Sequence, residues 1–192
     1  AAASAPLLDN PGEKWSYGVN MDILGCVIEV ISGMTFAEYL QKNIFDPLEL
    51  KSIGFNVRDN DKKSFTTLYT SGAYSRDGEL VAASGLNQSE LMFSKELRAI
   101  DLYDSSPYLA KSSPLFDGGS GLVSNIDDYS KFAEMLLNGG ILNEVRILSE
   151  ASVNLMSRNH LVDTILKDGA AFGLNGVGFG LTVGVVIDSG LA

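Results

Sequence analysis

The feature that most constrains this fold is a stripe of apolar residues: Val19, Ile23, Val27 and Ile31, with Leu24 and Ile28 beside them. Steps of three and four residues put them on one side of an α-helix, a side that calls for cover by another element. Pro11-Gly12 sets a turn ahead of the stripe, and Ser16 is the residue expected to cap the helix. Tyr17 then falls in the helix's first turn, and Gly33 closes its far end. Thr35-Phe36-Ala37-Glu38 has the form of a capping box, opening a second helix to about Ile44. Asp46-Pro47 stops that helix, because proline disfavours helical backbone in the residue before it.

Order is harder to read between Lys51 and Pro114, where Ser, Thr, Asn, Asp and Gly are scattered. Short apolar pieces such as Phe65 to Tyr69 and Glu79 to Ala83 predict loops and a hairpin there. FDGGSGLVSNIDDYSKFAEMLLNGG restores a pattern. Ser124 with Asp127 predicts a helix start, Phe132, Met135 and Leu136 its buried face, and Gly139-Gly140 its end. Ser149 caps a shorter helix to about Ser157. In GFGLTVGVVID, Phe179, Leu181, Val183 and Val185 alternate with small or polar residues, a strand pattern that stops at Ala192 short of a pairing partner. The organisation expected is a helical domain over 1–172, with an irregular insertion at about 57–114, and the beginning of a sheet domain over 173–192. The class is α+β, incomplete at both ends.

Composition removes several functions. The formal net charge is -10, the wrong sign for a nucleic-acid surface. One cysteine, Cys26, allows no intrachain disulfide; it falls among apolar helix residues and is expected to be a small core residue. No apolar run reaches the ~20 residues of a membrane span, and AAASAP lacks the form of a signal peptide. The only histidine, His160, has no Cys, Asp or Glu at metal spacing, so neither metal nor cofactor is expected. It reads as a surface loop residue.

Nucleophile motifs are missing as well. No Gly-x-Ser-x-Gly elbow occurs, because Leu122 stands where the second glycine around Ser120 would be. The glycines of GLNGVGFG match neither a dinucleotide fingerprint nor a phosphate loop, and suit a close backbone approach at a strand start. No serine has lysine three residues later. That leaves Tyr17. A phenol with a reference pKa of about 10 acts as a base only where its surroundings favour phenolate, and a helix N-terminus favours negative charge. Lys14 is a second group that would lower it. The same placement equally suits Tyr17 and Trp15 as amphipathic rings covering a helix end.

PGEKWSYGVNMDILGCVIEVISG resembles the Pro-Gly-x-x-Trp-x-Tyr-Ser segment of the serine β-lactamase-like superfamily, which holds class C β-lactamases, D-alanyl-D-alanine carboxypeptidases and family VIII carboxylesterases. GGSGLVSNIDDYSKFAEMLLNGG resembles its glycine-rich turn and following helix, and GFGLTVGVVID the strand that re-enters its sheet. The resemblance implies the helical domain of a β-lactamase-like fold with part of its antiparallel sheet. It also implies a serine hydrolase acting on small-molecule esters or amides through an acyl-enzyme. Tyr17 matches the second motif's tyrosine, the general base or proton relay. The Ser-x-x-Lys and third motifs are expected outside these residues, so the isolated chain is expected to be inactive.

The class C pattern Tyr-x-Asn is displaced here to Tyr17-Gly18-Val19-Asn20, which leans the expectation towards an esterase. Asn20, Gly119, Ser120 and Trp15 are the substrate-binding candidates. Gly119 and Ser120 suit the floor of an acyl pocket or a tight turn. Asp127 and Asp128 read as helix-start charges. A non-catalytic binding or assembly module on the same scaffold is the alternative. A soluble bacterial protein of cytoplasm or periplasm is expected, with an exposed cleft wall able to drive self-association.

Overall fold

The computed structural model describes residues 6, 9–10, 12–70, 73–74, 92–93, 98–101, 106–109, 115–167 and 175–190. The Glu79 to Ala83 piece and the expected domain boundary at 172/173 lie outside them.

The apolar stripe forms α1 (Asn20–Ser32), but the helix opens three residues beyond Tyr17. Val19 takes the capping position without a side-chain cap, so Ser16 does not cap it and Tyr17 is not in its first turn. Gly33 ends α1 in the left-handed region at φ 69°, its N–H donating to the Glu29 carbonyl. Helix α2 (Phe36–Leu40) begins at the capping box as expected: Thr35 Oγ accepts the Glu38 N–H, and Glu38 Oε2 accepts the Thr35 N–H. Glu29 Oε1 reaches across from α1 to accept the Phe36 N–H at 2.8 Å, tying the two helices together. Helix α2 then widens into a π-turn over Gln41–Phe45 before Asp46-Pro47 stops it. The axes of Asn20–Ser32 and Phe36–Phe45 meet at 79°. Among the described residues no single helix is long and apolar enough to cross a membrane; only this bent pair together has the length and composition.

The core lies beyond that bend. Phe45, Leu48 and Leu50 pack against Met135 of α3 (Ile126–Leu137) and Leu142 of the strand that follows, with Phe132, Leu136 and Ile147 partly buried around them. The predicted inner face of α3 is therefore correct. Its cap is not Ser124: Asn125 Oδ1 accepts the Asp128 N–H at 2.8 Å. Asp128 is buried and accepts the Ser52 N–H, stitching the start of α3 to the segment after the π-turn.

In the irregular stretch, β1 (Leu68–Thr70) pairs antiparallel with β4 (Arg98–Asp101), and inside it β2 (Ala73–Tyr74) pairs with β3 (Met92–Phe93). After α3, β5 (Ile141–Leu142) and β6 (Val145–Arg146) form a hairpin. Its turn residues Asn143 and Glu144 both have positive φ, at 46° and 68°, which matches the right-handed strand twist. Ser149 caps α4 (Glu150–Met156), as expected, and α5 (Asp163–Lys167) follows.

GFGLTVGVVID is a hairpin rather than one strand: β7 (Val177–Phe179) pairs with β8 (Gly184–Val186), reversing through Thr182 at φ 72°. Its partner was hidden in the same apolar run. Asn159 Oδ1 accepts the Phe179 N–H at 3.1 Å, and the His160 N–H donates to the Phe179 carbonyl at 2.8 Å. Gly178 faces Asn159 so closely that any side chain there would collide with it. That is the close approach the glycines predict. His160 is exposed, with Nε2 against the Leu155 carbonyl.

Cys26 is a further correction, for it is exposed. So is most of the α1 stripe: Val19, Ile23, Leu24, Val27 and Ile31 are all exposed, and within the helix only Gly25 is buried. Helical periodicity gives the face correctly but does not say what covers it.

Candidate active site

The lead-in to α1 carries the aromatic pair. Trp15 is half-buried, its ring 5.0 Å from Phe179 on β7 and 6.3 Å from Tyr17. Tyr17 is 73% exposed, at the edge of this aromatic row. Its ring is neither enclosed in a core nor part of a helix. The hairpin thus supports the tryptophan, which in turn flanks the tyrosine. Asn20, exposed, opens α1; because Tyr17 lies outside the helix, their three-residue spacing does not put them on one helical face. Lys14 does not serve the phenol as its partner. Its ammonium is 2.7 Å from Asp9, and this hydrogen bond raises its pKa above the ordinary value.

The glycine-rich turn docks against the same end of α1. A side chain on Gly118 would strike the Met21 carbonyl, so only glycine allows this approach. The Gly119 N–H donates to Asp117 Oδ1 at 2.7 Å and to Asp22 Oδ1 at 2.8 Å. Ser120 donates its N–H and its hydroxyl to Asp117, at 3.2 and 2.9 Å. Beneath, Phe55 stacks between Phe36 and Phe116. Gly119 and Ser120 therefore sit in a tight, exposed turn fastened by two carboxyl groups.

Those two groups differ in protonation. Their mutual hydrogen bond raises the Asp22 pKa; the same bond, with the Gly119 N–H and the Ser120 hydroxyl, lowers that of Asp117. Neither aspartate stood out in the sequence as a site residue. The available signals were a carboxylate in the first turn of α1 and another just before a glycine pair; their meeting depends on tertiary docking. A separate cavity of about 520 Å³ is lined by residues including Ser52, Arg58, Phe65 and Asn125, and takes in none of Trp15, Tyr17, Asn20, Gly119 or Ser120. Among the described residues no group of three or more His, Cys, Asp or Glu side chains is placed to hold a metal ion.

These elements have the β-lactamase-like fold. The chain belongs to the Beta-lactamase family, whose profile matches residues 1–191. EstCE1, a hydrolase with promiscuous acyltransferase activity, superposes with a TM-score of 0.68 at 25% identity, over 98% of this chain and 45% of that one. An uncharacterized protein of Mycobacterium tuberculosis is 28% identical over 191 residues, covering 98% of this chain and 42% of its own. The acyltransferase mokF of Monascus pilosus is 26% identical over 151 residues, which is 79% of this chain and 30% of that protein. The chain thus spans less than half the length of these relatives.

Proposed function

We propose that these residues are the central portion of an acyl-transfer serine hydrolase that prefers esters, with Tyr17 as its proton-handling group. The observation that carries this is the exposure of Tyr17 beside a fixed aromatic row: its phenol oxygen is accessible while its neighbour Trp15 is anchored on Phe179. Similarity to a hydrolase with acyltransferase activity and to an acyltransferase supports acyl transfer as the reaction class.

In this reading a serine outside these residues attacks the ester carbonyl, and its proton passes to Tyr17 in concert with a lysine of the same motif. The proton is then returned to the departing alkoxide, leaving an acyl-enzyme that water cleaves. Trp15, Asn20, Gly119 and Ser120 form the wall that faces the acyl group, and the helical portion gives way to a sheet portion near residue 173. The 192-residue chain, without serine spaced three from lysine, is expected to show no Tyr17-dependent hydrolysis of p-nitrophenyl butyrate. Clear turnover by the chain, lost in Tyr17→Phe, would put the nucleophile within these residues and refute the assignment.

A further inference from the structure

The meeting of Asp22 and Asp117 has a chemical requirement. Both Oδ1 atoms accept the same N–H, that of Gly119, and the two carboxyls also hydrogen-bond to each other. Ionised carboxylates only accept hydrogen bonds, so a bond between the two needs one proton held in the pair. Among the described residues no Lys, Arg or His forms an ion pair with either group. The charged residues on the adjoining elements are Glu13 and Lys14 in the lead-in, Glu29 further along α1, and Asp127, Asp128 and Lys131 on α3. Lys14 is paired with Asp9, Lys131 is 3.8 Å from Asp128, and Glu29 accepts the Phe36 N–H. A proton, rather than a side-chain cation, keeps the two carboxyls together.

We propose that Asp22 and Asp117 are a positioning pair: one shared proton clamps the glycine-rich turn to the first turn of α1, and so sets Ser120 relative to the segment carrying Tyr17. The clamp itself does not depend on the function proposed above; only its consequence for turnover does.

The sign follows from each partner. Asp22 is raised on folding, so its contribution is complete below its ordinary pKa and lost as pH rises through the raised one. Asp117 is depressed, so its contribution is complete above its ordinary pKa and lost as pH falls through the lowered one. The clamp is tightest between the two folded values. On the alkaline side two like charges are left facing one N–H, and the turn loosens.

The direct test follows the Gly119 amide by ¹H–¹⁵N NMR across a pH series in the full chain. The expected result is a titration step above the ordinary aspartate range, which disappears in Asp22→Asn because the amide keeps a donor facing Asp117 at every pH. A Gly119 resonance that does not move there, or a step retained in Asp22→Asn, overturns the clamp. If Asp22→Asn fails to fold, the wild-type titration and the wild-type melting temperature, expected to fall across the same step, still decide. In a catalytically complete protein the clamp also predicts that Asp22→Asn flattens the alkaline limb of the kcat profile. Should Tyr17→Phe leave turnover unchanged, the proposed function fails while the Gly119 titration still tests the clamp.

Discussion

Helices α1 and α3 are nearly equal in length, 13 and 12 residues, yet they meet water in opposite ways. The first carries the more continuous apolar face and leaves it open, with Val30 84% and Ile31 81% exposed. The second carries three acidic residues and a lysine, yet it buries Met135 completely, at 0% exposure, against Phe45, Leu48, Leu50 and Leu142. Burial therefore follows the neighbours a helix finds and not the number of apolar side chains it owns. The α1 end, with its lead-in aromatics and glycine-rich turn, is an uncovered wall; the α3 end is the packed body that holds it.

That contrast can be tested by substitution. Met135→Ala is expected to cost the most, about 2–5 kcal/mol by urea unfolding, since it opens a cavity in the one place that is close-packed. Asp128→Ala comes next, at about 1–3 kcal/mol, because it strands the partly buried Ser52 N–H that Asp128 accepts. Thr35→Ala, which removes the capping-box hydroxyl between the two regions, should cost about 1 kcal/mol. Ile31→Ser is expected to change the stability of the chain by less than ~0.5 kcal/mol. A loss from Ile31→Ser as large as that from Met135→Ala would erase the distinction between the two helices.

What could be read in the sequence follows the range of the forces involved. The capping box at Thr35 and Glu38, the cap at Ser149 and the glycine closures at Gly33 and Gly139-Gly140 rest on contacts within a few residues, and each appears as expected. The inner face of α3 was legible because its spacing is helical throughout. Errors gathered where distant partners decide. Ser16 was read as a cap, but the chain stays non-helical through Val19, so Tyr17 stands before α1 rather than upon it. Cys26 and the α1 stripe were placed inside on composition alone, which cannot see whether a cover exists. The final apolar run was read as one strand because period-two alternation continues through Leu181 and Val183, and the reversal depends on Thr182 adopting a positive φ. Of the candidate site, the aromatic lead-in and the glycine-rich turn were legible as separate motifs. Their union through Asp22 and Asp117 was not, since the two residues are far apart along the chain.

The most direct measurement is the hydrolysis of p-nitrophenyl butyrate by the complete protein containing these residues, compared with its Tyr17→Phe variant. If the exposed phenol handles the proton of acyl transfer, kcat falls by roughly 10²–10⁴-fold while KM changes little. A kcat within about twofold of the parent, well inside the range that loss of a general base occupies, would show that Tyr17 is only a covering ring.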